Sequence, residues 1–185
     1  LNASGRIKPY EGDYLHINDV NFGGAKANMY VKHNVSQNIE VGADGSLIKT
    51  IVIDYKNPVP PSDCNLETGG LCLNAELRNW LRIYTPKGST LIESQGSEVE
   101  IKTSQELDKT VFEGFLKVRP LGKATFTIKY KLPFKKESLS NQGKELPLLI
   151  QKQPGTEGHD YQIKVNGKEI KKFQLTTDRE LKLQI

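Results

Sequence analysis

Hydrophobic and polar residues alternate with a period of two along most of this chain, a pattern typical of β-strands that bury one face. The clearest stretch runs from Arg78 to Pro86. Its apolar side carries Leu81 and Ile83, next to Leu77, and its other side carries Arg78, Trp80, Arg82 and Tyr84. A turn follows at Pro86-Lys87-Gly88, where proline and glycine end an extended segment.

The same alternation predicts strands elsewhere, separated by turn residues. Asp44-Gly45 joins two of these segments as a hairpin, and Asn166-Gly167 joins two more, because these dipeptides accept the positive φ of tight β-turns. Pro133 is expected to end the strand before it. The predicted strands are 13–18, 28–41, 46–55, 78–86, 98–103, 110–118, 124–132, 146–152, 161–165, 169–175 and 180–185.

Short strands separated by frequent turns, without a long amphipathic helix, predict an all-β fold. We expect an antiparallel, immunoglobulin-like β-sandwich with extra C-terminal strands. Residues 1–12 are predicted to be a lead-in linker, and residues 13–185 the sandwich domain. In the alternative organisation, residues 134–185 form a small β lobe of their own.

Composition and charge exclude several classes of partner. The 185 residues carry a net charge of +4, and the basic residues are spread without a run of five. A nucleic-acid groove would cluster them among aromatic residues, so we expect no nucleic-acid partner. No apolar run approaches the length of a membrane span. Because the chain begins without a start methionine or a leader, we interpret it as a fragment whose membrane anchor lies outside it.

Cys64 and Cys72 are the two cysteines, eight positions apart. Zinc knuckles need a second pair of ligands nearby, and none is present in the sequence. We therefore predict a disulfide, which implies an oxidising compartment. Two free thiols in a reducing compartment are the alternative.

The polar side of the 78–86 strand is the candidate ligand-binding surface. Trp80 and Tyr84 can stack on a sugar ring while Arg78 and Arg82 donate hydrogen bonds. In the alternative interpretation this side faces the second sheet or is covered by the Cys64–Cys72 loop, and has only a structural role.

The sequence shows none of the residue spacings that are typical of metal-binding or catalytic sites. His16, His33 and His159 have no partner at a ligand spacing, and His33 falls on an apolar face, as core histidines do. An alternative is a calcium site between loops, to which Asp13, Asp19 and Asp160 would contribute. No GxSxG motif or other catalytic set occurs. We predict no metal, no cofactor and no catalytic residue.

Lys49 falls on the apolar face of its strand, where a lysine must be paired or reach water. In bacterial surface sandwiches, such a lysine can condense with an Asn or Asp to form an isopeptide bond. No partner for Lys49 can be identified from the sequence.

The order of several motifs resembles the C-terminal part of the bacterial domain-of-unknown-function 4012 family, from about Tyr14 to Ile185. That resemblance implies an extracellular domain held by an N-terminal transmembrane helix, and it assigns no activity. The motifs are Asn21–Lys26, Asp44-Gly45, Asn57-Pro58, Arg78–Ser89, Tyr130–Pro133 and Gln151–Gly155.

These observations together predict a non-catalytic extracellular structural or interaction module of a membrane-anchored bacterial surface protein, at the cell surface. Its expected partner is a cell-surface glycan or protein. The first alternative is a carbohydrate or cell-wall-polymer binding module that uses the Trp80 surface. The second is a hydrolase or transferase whose residues come together only in the fold.

Overall fold

The computed structural model describes residues 5–139 and 144–185, which form twelve β-strands and three 3₁₀ turns. The strands are β1 (Asp13–Asn21), β2 (Lys32–Val41), β3 (Ser46–Lys56), β4 (Leu77–Pro86), β5 (Thr90–Gln95), β6 (Lys102–Glu106), β7 (Lys109–Val118), β8 (Lys123–Lys135), β9 (Glu145–Gln151), β10 (His159–Val165), β11 (Lys168–Leu175) and β12 (Arg179–Gln184). The 3₁₀ turns are Ala27–Met29, Leu66–Thr68 and Lys136–Ser138. No helix in the described part of the chain is long and apolar enough to span a membrane.

Two six-stranded sheets pack face to face, so the predicted all-β sandwich is confirmed. Sheet A has the strand order β12-β9-β1-β4-β7-β6, and sheet B has the order β11-β10-β2-β3-β8-β5. The inward residues of both sheets form one continuous core. It includes Leu15, Leu81 and Ile83 from sheet A, and Ile51 and Ile128 from sheet B, each almost fully buried.

Strand pairing is mixed rather than wholly antiparallel. β9 runs parallel to β1, and β10 runs parallel to β2, while the other pairs are antiparallel. Parallel neighbours need a long crossover connection. Here the strands of each parallel pair are more than a hundred residues apart in the chain, and most of the core residues come from the sequence between them. Local alternation cannot reveal such a pairing.

The last four strands complete both sheets. β9 and β12 extend sheet A, while β10 and β11 extend sheet B. Leu148 and Ile150 of β9, and Tyr161 and Ile163 of β10, belong to the same core as the earlier strands. Strands from this region and from the first half of the chain thus share one interior rather than forming separate lobes.

Both predicted hairpin turns form. Gly45 has φ of 74°, and the β2–β3 pairing continues to Val41 and Leu47. Asn166 and Gly167 have φ of 48° and 78°, the left-handed pair that a type I′ turn requires. The Asn-Gly and Asp-Gly signals therefore predict these turns correctly.

Several strand details differ from the prediction. The strand predicted over 28–41 begins only at Lys32, because Ala27–Met29 forms a 3₁₀ turn. β5 was not predicted because its residues are largely exposed and lack alternation, and β6 lies several residues later than expected for the same reason. β8 continues past Pro133 to Lys135. Its ladder with β3 shifts register between Lys131 and Lys135, so the proline sits at an irregularity where a missing N–H is tolerated.

Candidate functional site

The predicted ligand-binding residues lie together on the outer face of sheet A. Along β4, the side chains of Leu77, Leu81 and Ile83 enter the core. Arg78, Trp80, Arg82 and Tyr84 alternate with them and point away from it; Arg78 is exposed, Trp80 and Arg82 are half-buried, and Tyr84 is buried. The period-two pattern therefore predicts their shared face correctly.

The polar atoms of this outer face are bonded to side chains of the same chain. The Trp80 indole N–H donates to Glu113 Oε2 at 3.1 Å. Arg82 Nη2 lies 2.5 Å from Glu106 Oε2, and Arg82 also contacts Glu113 at 3.6 Å. The Tyr84 hydroxyl donates to Glu106 Oε1 at 3.3 Å. Two carboxylates of β6 and β7 thus accept from the Trp80 indole, from Arg82 Nη2 and from the Tyr84 hydroxyl, while Arg78 stays exposed.

The segment before β1 covers the part of this face around Tyr84. Ile7 and Tyr10 pack on a small apolar cluster that contains Tyr14 and Tyr84. The side chain of Gln151 holds the segment in place, because its Oε1 accepts from the Lys8 amide at 3.1 Å and its Nε2 donates to the Arg6 carbonyl at 2.9 Å. Residues 5–12, predicted as a linker, therefore lie against sheet A.

The predicted disulfide between Cys64 and Cys72 is present. It closes an exposed loop that contains the 3₁₀ turn Leu66–Thr68 and a left-handed Gly69. The Lys26 amide donates to the Leu73 carbonyl at 2.8 Å, which joins the Asn21–Lys26 turn to this loop. Gly23 in that turn sits so close to the Glu76 carbonyl that a Cβ would come within 2.7 Å. Gly23 and Gly24 therefore have a structural role in a tight turn.

A largely buried polar cluster lies between the sheets, at the end of the sandwich where β1 ends and β2 begins; His159 is buried, and Asp19 and His33 are partly exposed. Asp19 comes from β1 in sheet A, whereas His33 and His159 come from β2 and β10 in sheet B. One ligand-type atom from each residue lies within 4.8 Å of the other two. The His33 and His159 rings stack with centroids 4.3 Å apart, and His33 Nδ1 lies 3.5 Å from Asp19 Oδ2.

Two further side chains fix the Asp19 carboxylate. The Tyr55 hydroxyl donates to Asp19 Oδ1 at 2.9 Å, and the Asn79 amide donates to the same oxygen. Asp19 Oδ2 receives no hydrogen bond within the described part of the chain. One oxygen is thus held by the protein, while the other faces the histidines.

Burial dominates the electrostatics of this cluster. It lowers the pKa of His33 to about 4. Burial, with a smaller contribution from His33, lowers the pKa of His159 to about 4 as well. Burial raises the pKa of Asp19, although hydrogen bonds from Asn79 and Tyr55 act in the opposite direction. Both imidazoles are therefore neutral at pH 7.

The two neutral imidazoles, and the Asp19 carboxylate with one oxygen free of hydrogen bonds from the described residues, are suited to a divalent transition metal. Such a metal prefers nitrogen and oxygen ligands of this kind. Tyr55 and Asn79 would orient the carboxylate, as outer groups do around metal ligands. Of the calcium set weighed from the sequence, Asp19 alone belongs to this cluster, because Asp13 pairs with Lys49 and Asp160 is exposed.

Sequence reasoning missed this cluster because its members are far apart in the chain. Asp19, His33 and His159 show no ligand spacing, and the parallel pairing of β10 with β2 is what brings His159 beside His33. The one available signal was that each falls on the inward face of its strand. His16, by contrast, lies apart from the cluster, with Nδ1 3.0 Å from the Gln151 carbonyl oxygen.

Two of the shallow depressions on the surface of the described residues lie elsewhere. One, of about 220 Å³, is lined by Tyr10, Pro147 and Glu180–Lys182. The other, of about 460 Å³, is lined by Glu76, Glu98, Lys117, Arg119, Gly122 and Lys123. Neither includes a residue of the Asp19 cluster or of the Trp80 surface.

Comparison with solved structures supports the fold. The chain is similar to a candidate nutrient-binding protein of Legionella pneumophila, with a TM-score of 0.52 and 9% identity over 92% of this chain and 70% of that one. An M1 zinc metallopeptidase of Deinococcus radiodurans has a TM-score of 0.36 and 8% identity over 85% of this chain and 39% of that one, which is too distant to bear on the fold or the site. No protein-family model matches, and no curated protein does.

Proposed function

We propose that this chain is a non-catalytic structural and interaction module of a membrane-anchored bacterial surface protein, working outside the cytoplasm. The observation that carries the proposal is the pairing on the outer face of sheet A. Trp80, Arg82 and Tyr84 use their polar atoms on Glu106 and Glu113 rather than around an opening. Such pairing stabilises a surface and leaves few donors for a ligand.

Location is supported by the disulfide and by the family resemblance. Disulfides persist in oxidising compartments and are rare in the cytoplasm. The Cys64–Cys72 bond joins the two cysteines of the chain. The order of motifs that resembles the domain-of-unknown-function 4012 family is the basis for expecting an anchored extracellular domain. The experiment that tests this proposal is a measurement of the oxidation state of these two cysteines in protein taken directly from the cells that make it.

Glycan binding at the Trp80 surface is the less well supported alternative. A stacking platform needs an exposed aromatic face. Trp80 is half-buried beside Phe115, with ring centroids 6.4 Å apart, and Tyr84 is buried beneath the segment before β1. A hydrolase or transferase has still less support, since neither surface depression contains a histidine or a pair of groups placed as nucleophile and base.

Metal binding is the second candidate function, and the Asp19, His33 and His159 cluster favours it. A bound metal would join β1 of sheet A to β2 and β10 of sheet B, which agrees with a structural role. The protein would supply two neutral imidazoles and one carboxylate oxygen that is already oriented by its neighbours.

Zn²⁺ is expected to raise the melting temperature of the chain by roughly 5–10 °C when present at about a hundred times its dissociation constant. Replacing His159 by glutamine should remove that shift. The matched control is His16→Gln, which changes a histidine outside the cluster and should keep the full shift. Differential scanning calorimetry after treatment with a chelator makes the comparison. An equal zinc shift in the His159→Gln variant, or no shift in the parent chain, would rule out this site.

A further inference from the structure

The centre of the sandwich contains a lysine and an aspartate that meet across the two sheets. Lys49 lies on β3 of sheet B, and Asp13 lies at the start of β1 in sheet A. Lys49 Nζ is 2.6 Å from Asp13 Oδ2, and both side chains are 0% exposed. A lysine and an aspartate are almost never buried this completely unless they are paired.

The surroundings of this pair leave polar atoms unused. Asp13 Oδ1 and the Tyr130 hydroxyl are buried, and neither has a hydrogen-bond partner in the described part of the chain. Tyr130 is the register partner of Lys49 on β8. Burial, with a smaller contribution from the charge of Asp13, raises the pKa of the Tyr130 hydroxyl. Lys49, Asp13 and Tyr130 are thus three buried polar side chains of the same interior.

Enclosure also favours the neutral forms of the pair. Burial raises the pKa of Asp13 and lowers the pKa of Lys49, although the attraction between the two acts against both changes. A buried ion pair pays a desolvation penalty that its mutual attraction repays only with complete hydrogen bonding. Here one carboxylate oxygen has no such bond. The carboxylic acid and the free amine are the forms that can react with each other.

We propose that Lys49 and Asp13 condense into an intramolecular isopeptide bond that joins sheet A to sheet B. A proton passes from Lys49 Nζ to Asp13 Oδ2 along their hydrogen bond, and the nitrogen lone pair then attacks Asp13 Cγ. The N–Cγ bond forms and one Cγ–O bond breaks. Of the three protons on the lysine ammonium group, one stays on the amide nitrogen and two leave with the oxygen as water.

Tyr130 lies beside Lys49 on the same inward face, and its hydroxyl has no hydrogen-bond partner among the described residues. The lysine ammonium group supplies both protons of the departing water, so no other reactant is needed. After condensation, the same hydroxyl is available to the new amide, which lowers the cost of burying it. The charged pair is then replaced by a neutral group. This inference goes beyond the proposed function and rests on different residues.

The test is the intact mass of the purified full chain after reduction of its disulfide. We expect a mass lower by one water molecule than the mass calculated for the linear, reduced chain. After trypsin digestion, the peptide that contains Asp13 should be recovered joined to residues 33–56, with cleavage after Lys49 blocked. Lys49→Arg keeps the charge near Asp13 but should have the full theoretical mass. Lys131→Arg, at an exposed position of β8, is the matched control and should keep the loss of water.

Lys49→Met covers the case in which an arginine does not fit the core, because methionine fills a similar volume without a charge. It too should show the full mass, and it should migrate more slowly than the parent chain in a denaturing gel, since the bond closes a loop between positions 36 residues apart. A full theoretical mass for the parent chain, or loss of water that persists in both Lys49 variants, would overturn the proposal.

Discussion

Replacing Asp13 by alanine is expected to lower the free energy of unfolding by about 3–5 kcal/mol, the range measured when one partner of a buried pair of ionisable groups is removed, because neither the pairing nor the proposed crosslink can then form. The variant leaves the Lys49 amine in the core, where Asp13 Oδ2 is its hydrogen-bond acceptor. Urea denaturation at pH 7, followed by fluorescence of the single Trp80, measures the change.

The control for this variant is Asp160→Ala, an aspartate at an exposed position of β10. Substitutions at such positions usually change stability by less than about 0.5 kcal/mol. A double variant, Asp13→Leu with Lys49→Met, removes the buried charge altogether and should be more stable than Asp13→Ala. A loss below about 1 kcal/mol in the Asp13→Ala variant would show that the pair does not lie in the core.

Acid is expected to destabilise the metal-free chain between pH 6.5 and 4. His33 and His159 have pKa values of about 4 in the folded chain, against an ordinary value of 6.5. Above pH 6.5 both residues are neutral in both states. As the pH falls towards 4, the unfolded chain binds protons that the folded chain does not, so stability is lost. Each histidine contributes up to about 3 kcal/mol to this loss.

Other groups in and around the cluster also titrate, so the comparison must be made against a variant. The raised pKa of Asp19 acts in the opposite direction, and Lys152 and Asp160 both influence His159. His159→Gln removes one histidine contribution and should flatten the loss of stability between pH 6.5 and 4 by up to about 3 kcal/mol. Denaturation series in a chelating buffer measure it. An unchanged pH dependence would show that His159 is solvated in the folded chain.

Local patterning could predict the sandwich and the orientation of its exposed residues. The alternation along β4 correctly placed Trp80 and Arg82 opposite Leu81 and Ile83, and the Asn166-Gly167 dipeptide correctly marked a hairpin. Both depend on interactions between neighbouring residues in the chain, which the sequence displays directly.

Contacts between the sheets could not be predicted in this way. The partner of Lys49 is Asp13, which belongs to the opposite sheet, and the histidine cluster depends on β10 lying parallel to β2. The sequence shows only one feature of each such residue, which is that a polar side chain falls on the apolar face of its strand. The identity of its partner depends on how the sheets stack, and alternation within a single strand does not encode that.

The buried polar groups follow a common arrangement. Asp13 with Lys49, and Asp19 with His33 and His159, both link sheet A to sheet B through the interior. The outer face of sheet A is in turn closed by Glu106 and Glu113. This pairing of polar side chains with one another is the basis of the structural role proposed above.

The most direct test of a location outside the cytoplasm is the oxidation state of Cys64 and Cys72 in the cells that make the protein. Free thiols are blocked with an alkylating reagent at the moment of lysis, and the protein is then isolated, reduced and labelled with a second reagent of different mass. If the protein is located outside the cytoplasm, both cysteines should carry only the second label. Protein recovered with both cysteines carrying the first label would contradict that location.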